Sequence, residues 1–244
     1  MHMKNITKQL TRSDERMHSD LGWLNSRHSF SFGEHYDQDR MGFGPLRVVN
    51  DDRVAPGGGF PSHPHRDMEI ISIVLDGQLE HKDSLGNGRV IQTGDIQYMS
   101  AGSGVVHSEF NPSKDKPVHF LQIWIQPREK GLEPRYADQP IVGDTDNEWN
   151  LILSPDGGDG SMAIRQDVEL RTVTLTEGQS ISRHIAEKGR GVWIFILNGE
   201  VAVAGEELSP GDSLALTEAA NVEISQQGSG SAQVMLFEVA LEVS

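Results

Sequence analysis

The sequence predicts an all-β protein made of two tandem copies of one strand-rich unit, each a sandwich or a barrel. Three observations predict it. Short apolar runs recur along the chain with turn residues between them. A strand–turn–strand pattern of the first half returns in the second. Helical periodicity is nowhere sustained for three turns, so the runs read as strands.

In the first half the runs are residues 46–49, 70–75, 90–91, 96–99 and 120–125. In the second they are 151–153, 170–175, 192–197, 201–204, 213–216, 222–224 and 234–239. The 26 glycines and 11 prolines are scattered singly between them, which suits tight turns better than a disordered tract. Ile73 to Leu79 (IVLDGQL) matches Ile194 to Val201 (IFILNGEV): an apolar strand, an Asx-Gly turn and another strand. Gly94-Asp95-Ile96 likewise matches Gly211-Asp212-Ser213. The two glycine offsets, 122 and 117 residues, differ by one small indel. Both matches in order at nearly equal spacing indicate a duplication.

Between the copies, residues 126–140 are rich in proline and charge and poor in periodicity, as a connector is. The boundary falls between Gln126 and Glu148. We divide the chain at 135/136, into an N-terminal barrel of residues 1–135 and a C-terminal barrel of residues 136–244.

Charge and cysteine content narrow the chemistry. The net charge is -15 and no basic stretch stands out, so direct nucleic-acid binding is not expected. There is no cysteine; disulfides and thiolate sites are excluded, and any metal takes nitrogen and oxygen ligands. The N-terminus lacks the apolar core of a signal peptide, and no window approaches the roughly 18 apolar residues of a membrane span. A cytoplasmic location is the default expectation.

Two short segments carry ligand chemistry. In His63-Pro64-His65 and His107-Ser108-Glu109, residues i and i+2 of a strand project from one face. Three imidazoles and one carboxylate therefore converge if both strands face one interior. Pro64 cannot donate to a ladder, so that segment belongs at a strand start, an edge or a bulge.

The wider spacing resembles the cupin superfamily. Gly59, His63, His65, Glu69 and Gly77 follow its first motif; Gly94, Gly102, Gly104, His107 and Asn111 follow its second, with Gly102 where a proline is usual. Further stretches are similar to the pirin family, a family of tandem cupin (jelly-roll-like) barrels. They are HSFSFG from His28, MGFGPLRVVNDD from Met41, HPHRDMEI from His63, HSEFN from His107, QIWIQP from Gln122 and Pro134-Arg-Tyr136. The likeness is dense over residues 20–136 and looser but colinear beyond, and is nearest to bacterial pirin-like proteins that include quercetin 2,3-dioxygenases.

The general cupin pattern nominates Glu69 as the acidic ligand, on the same strand parity as His65. The pirin pattern nominates Glu109, which we adopt, leaving Glu69 as a supporting or structural carboxylate. The expected metal ligands are thus His63, His65, His107 and Glu109. His28 is expected in a core or hydrogen-bonded role and His119 in packing or at the surface. His2, His18, His35, His81 and His184 have no partner at ligand spacing and are expected to be solvent-facing or structural. Aligned through its glycines, the second copy places Ile185, Glu187, Ile224 and Gln226 at the ligand positions. No imidazole remains there, so the second barrel is expected to be metal-free.

The resemblance implies one divalent transition-metal ion, with iron favoured and Mn, Ni, Co, Cu or Zn compatible with the same donors. It implies a planar flavonol such as quercetin and O2 as substrates. Glu109 acts as general base on the 3-hydroxyl, the heterocycle opens and CO leaves. Phe60, Met68 and Met99 are candidates to face the ring. A pirin-like metal- or redox-dependent regulator binding a protein partner, or other cupin metal chemistry, fits the same four ligands.

Overall fold

Side chains that alternate between core and solvent are the signature of a strand with one buried face, and the segment Asn221–Gln227 alternates in this way along its whole length. The structure, a computed structural model, describes residues 7–143, 145–185 and 188–241. It resolves into two compact units, Met17–Ile141 and Met1–Arg16 with Val142–Ser244. Among the described residues, no helix is long and apolar enough to cross a membrane.

The unit Met17–Ile141, the site-bearing barrel, follows the single strand β1 (Thr7–Thr11) in the chain. Its strands are β2 (Met17–Asp20), β3 (Leu24–His28), β4 (Leu46–Val54), β5 (Gly59–His65), β6 (Glu69–Asp76), β7 (Gln78–Asp83), β8 (Gly88–Gln92), β9 (Asp95–Ser100), β10 (Val105–Phe110), β11 (Val118–Ile125) and β12 (Arg135–Pro140). They form a seven-stranded sheet, β12-β9-β6-β11-β4-β3-β2, and a four-stranded sheet, β5-β10-β7-β8. The core draws Leu24, Val54, Val74, Val118 and Phe120 from the larger sheet and Leu79 and Ile91 from the smaller.

The other unit, the second barrel, combines β1 with β13 (Asn150–Ser154), β14 (Met162–Ala163), β15 (Val168–Leu175), β16 (Ser180–His184), β17 (Arg190–Asn198), β18 (Glu200–Val203), β19 (Glu206–Leu208), β20 (Ser213–Thr217), β21 (Asn221–Gln227) and β22 (Ala232–Ala240). Its sheets run β1-β20-β17-β22-β15-β13-β14 and β16-β21-β18-β19. The order β9-β6-β11-β4 is repeated as β20-β17-β22-β15, and β5-β10-β7-β8 as β16-β21-β18-β19. This is the duplication read from the sequence. The Asx-Gly turns anchoring that alignment carry the chain from one sheet to the other, β6 to β7 and β17 to β18, rather than closing hairpins; Gly77 and Gly199 have φ of 86° and 71°, a region costly for residues with a Cβ.

The units depart from a division at 135/136 in two places. β12 pairs along its length with β9, which carries the first barrel to Ile141. β1 pairs with β20 from Thr7 to Thr11, which assigns that strand to the second barrel. β1 and β12 occupy equivalent outer positions beside β20 and β9.

Candidate metal centre

β5 is the outer strand of the four-stranded sheet and lies against β10, as a strand holding Pro64 must. Residue His107 pairs with His63 and Val105 with His65, and the register shifts between His107 and Glu109. Pro64 is exposed, whereas His63 and His65 are half-buried and His107 and Glu109 fully buried. Potential ligand atoms of His63, His65 and His107 all lie within 4.8 Å of one another. Nε2 of His63 and Nε2 of His107 are 3.0 Å apart. His63 Nδ1 lies 2.8 Å from the Pro61 carbonyl oxygen. A carbonyl only accepts, so this nitrogen carries the hydrogen and the Nε2 lone pair faces the cluster.

Glu109 sits in a polar niche on the same side. Ser72 Oγ lies 3.2 Å from Oε1, and the Gln122 amide donates to Oε2 at 2.9 Å. Burial pushes its carboxyl up to about 7, against the lowering effect of the Ser72 hydrogen bond, with the nearby Asp52 charge adding to the rise. Burial, followed by the charges of neighbouring histidines, depresses His65 to about 4 and His107 to about 2. Both imidazoles are therefore neutral donors at physiological pH.

Glu69 lies elsewhere. The chain leaves β5 at His65, turns through Asp67 at a left-handed φ of 49°, and re-enters as β6. That turn breaks the parity counted from His65. Glu69 accepts hydrogen bonds from the Tyr98 hydroxyl and from Ser100 Oγ at 2.7 Å, as a structural carboxylate.

One residue escaped the sequence reading. His81 is fully buried, and its potential ligand atom lies within 4.8 Å of those of His107 and Glu109. Burial depresses its pKa, against the raising effect of Asp83. The signal lay in His81-Lys82-Asp83, an i,i+2 pair of the same type as the two expected ligand pairs. Other histidines behave as expected. His28 is buried, with Nδ1 2.9 Å from Asn50 Oδ1 and Nε2 2.9 Å from Ser19 Oγ. His119 pairs with Asp51 at 2.7 Å, and His18 and His184 are exposed. His2 and Glu187 lie outside the described residues.

A cavity of about 360 Å³ opens beside the cluster, lined by His63, His65, Glu109, Phe32, Phe60 and Trp124 among others. Its size is that of a small-molecule site. Phe60 faces it as expected; Met99 instead packs with Ile70 and Val105 in a separate core cluster, with Met68 against it. The Trp124 ring meets His65 edge-on, with centroids 4.8 Å apart.

In the second barrel, strand pairing refines the alignment. Glu109 pairs with His81 as Ile224 pairs with Val203, and His63 pairs with His107 as Arg183 pairs with Val222. Ile185 bonds to Ala220 where His65 pairs with Val105. The equivalents of His63, His65, His107 and Glu109 are thus Arg183, Ile185, Val222 and Ile224, two residues from the glycine-anchored register. Ile185, Val222 and Ile224 belong to one aliphatic core.

Comparison with known proteins agrees with this geometry. The Pirin family matches residues 10–125, and the Quercetinase C-terminal cupin domain family matches residues 151–239. A curated relative, quercetin 2,3-dioxygenase of Escherichia coli (strain K12), is 43% identical over 231 residues, covering 94% of this chain and 97% of its own. The chain belongs to the pirin family. The crystal structure of the bacterial pirin YhhW from Escherichia coli in complex with nickel(II) has a TM-score of 0.91 at 41% identity, covering 97% of this chain and 100% of its own. A quercetin 2,3-dioxygenase from Acinetobacter baumannii shares the fold at a TM-score of 0.73 and 22% identity, covering 92% of this chain and 84% of its own. The chain is thus a pirin with two cupin barrels.

Proposed function

We propose that this pirin is a metal-dependent dioxygenase that opens the heterocycle of flavonols such as quercetin with O2 and releases CO. The observation that carries the proposal is the cluster of His63, His65 and His107 with the buried carboxylate of Glu109 beside His107, at an aromatic-lined cavity that His63, His65 and Glu109 line.

The side chains fit a cation before any is added. His65 Nε2 is buried without a hydrogen-bond partner, an arrangement that costs free energy unless something accepts its lone pair. His63 presents its Nε2 lone pair beside it. Of the two acidic groups, Glu109 rather than Glu69 completes the set, because Glu109 lines the cavity with His63 and His65 and lies beside His107, whereas Glu69 is engaged by Tyr98 and Ser100. His63, His65, His107 and Glu109 would hold the ion, and this nitrogen and oxygen donor set suits Fe, Mn, Ni, Co or Cu; iron is our preference. A bound divalent ion supplies Lewis acidity, lowering the pKa of a hydroxyl held beside it.

The remaining work falls to the protein. Phe32, Phe60 and Trp124 give a planar aromatic ligand apolar surface and keep bulk water from its reacting edge. Glu109, ionised when a cation is bound, accepts the proton of the 3-hydroxyl as general base. Gln122 and Ser72 hold the carboxylate in place while it does so. The deprotonated, electron-rich ring then reacts with O2, the heterocycle opens and CO departs.

The test is aerobic incubation of metal-loaded protein with quercetin, following loss of the flavonol absorption band and release of CO. Glu109→Gln is expected to lower turnover by about 10²- to 10⁴-fold, the usual contribution of a general base. Absence of turnover with every one of Fe, Mn, Ni, Co and Cu overturns the proposal.

A further inference from the structure

The buried imidazole of His81 takes no part in the chemistry above. It lies on β7 opposite Glu109, and Asp83, on the same face, lies opposite His107. His81 Nε2 and Asp83 Oδ2 are 3.0 Å apart, and neither side chain is exposed. His81 Nδ1 is 3.5 Å from Nδ1 of His107 and 3.3 Å from the amide nitrogen of Gln97. The Tyr136 ring stacks on the imidazole with centroids 4.9 Å apart and fixes its plane.

These contacts determine where the hydrogens sit. The Asp83 carboxylate accepts from the backbone amides of Leu85 and Asn87 and from the Asn87 side chain. A carboxylate facing an imidazole nitrogen requires that nitrogen to carry the hydrogen. His81 is therefore protonated on Nε2 and, as a neutral ring, presents a lone pair at Nδ1, where the Gln97 amide donates. His107 Nδ1 faces the same lone pair, and a hydrogen on it shares that acceptor with Gln97, whereas a bare Nδ1 would set two lone pairs against each other. The hydrogen on Nδ1 leaves the Nε2 of His107 bare, and that atom lies 3.0 Å from Nε2 of His63.

We infer that Asp83 and His81 form a hydrogen-bond relay that fixes His107 as its Nδ1–H tautomer and aims its Nε2 lone pair at a cation. His81 is a positioning residue and not a ligand, because both of its nitrogens are already engaged. The inference rests on the reading of His107 as a ligand. Partners of this kind orient a ligating imidazole and raise its basicity. The second barrel lacks both groups: counted from the duplicated turn glycines, Val203 and Gly205 stand at the positions of His81 and Asp83.

The test compares nickel(II) affinity, by calorimetric titration of the metal-free protein, in wild type, His81→Leu, His81→Asn and Asp83→Asn. Loss of such a partner lowers metal affinity by about 10- to 100-fold, and His81→Leu is expected to do so. His81→Asn is expected to recover part of the loss, because its amide oxygen can accept from His107. Asp83→Asn keeps a carbonyl oxygen for the Leu85 and Asn87 amides but turns an NH2 group toward His81. It reverses the tautomer and is expected to weaken binding in wild type but add nothing in a His81→Leu background. In the zinc-loaded protein, 15N NMR is expected to show hydrogens on His107 Nδ1 and His81 Nε2.

Wild-type affinity in His81→Leu overturns the inference. So does a zinc-loaded His81 protonated on Nδ1, or an equal effect of Asp83→Asn in both backgrounds. If wild type itself binds no divalent ion, the metal reading falls with it. Thermal unfolding of each metal-free variant checks the fold; should His81→Leu not fold, His81→Asn and Asp83→Asn decide.

Discussion

The two barrels repeat one strand order and fill it with opposite chemistry. Where the first places His63, His65, His107, Glu109 and His81, the second places Arg183, Ile185, Val222, Ile224 and Val203. The polar supports of Glu109 change as well: Ser72 pairs with Gln122 as Ile194 pairs with Leu236, and both of those aliphatic side chains join the second core. Trp124, paired with Ile70, corresponds to Glu238, paired with Val192. Arg183 reaches Glu238 at 2.7 Å and Glu169 at 2.9 Å, an ion cluster on the wall where the first barrel keeps its aromatic pocket. The scaffold therefore dictates convergence of these positions, while the residues placed there decide between a reactive pocket and a packed core. A pocket leaves buried polar atoms to be satisfied by a ligand; the aliphatic version satisfies itself.

The largest expected difference between the barrels is in metal binding. His107→Ala is expected to lower affinity for a divalent ion by more than the roughly 100-fold that marks loss of a supporting partner. Arg183→Ala, at the position equivalent to His63, is expected to leave metal content unchanged by elemental analysis. Equal metal loss in both variants would break the comparison.

The reverse asymmetry concerns packing. Ile224→Ala removes buried aliphatic volume and is expected to cost about 2–5 kcal/mol in urea unfolding, with one metal per chain retained. Glu69→Gln keeps an acceptor oxygen for one of Tyr98 and Ser100 and turns an NH2 group to the other; it is expected to cost about 1–3 kcal/mol, also with the metal retained. Loss of the ion in Glu69→Gln but not in Glu109→Gln would reverse the choice of carboxylate.

The smallest effect is graded with pH. A cation must displace the proton that Glu109 holds below about 7 in the metal-free barrel. Its contribution lowers apparent affinity by up to about tenfold per pH unit below 7 and is level above it. His65, depressed to about 4, and His107, depressed to about 2, are already deprotonated across that range. Calorimetry between pH 5.5 and 8 in Glu109→Gln, which has no such proton to lose, is expected to show a flatter profile.

The sequence made the duplication legible because the tight turns between the sheets need particular residues. Gly77 and Gly199 take backbone conformations that few others tolerate, so they survive as landmarks in both copies. The pairs His63/His65 and His107/Glu109 were legible because strand parity alone fixes which side chains share a face. Counting failed where strands are interrupted. The turn at Asp67 moved Glu69 off the parity inferred from His65, and the register of β16 and β21 shifted the second barrel's equivalents by two residues. His81 was missed because its importance comes from β7 lying beside β10, a neighbour relation that no local spacing records. The membership of β1 was equally hidden, since a polar five-residue strand carries no label for its partner.

That short strand has a consequence for how the chain is made. Thr7–Thr11 is synthesised some two hundred residues before Ser213–Thr217, the partner it pairs with. The whole of Met17–Ile141 emerges in between. The site-bearing barrel can therefore fold while synthesis continues, but the second cannot close its sheet until the chain is nearly finished. A fragment beginning at residue 136 would leave the flank of β20 without its cover, an open edge of the kind that invites pairing with other chains.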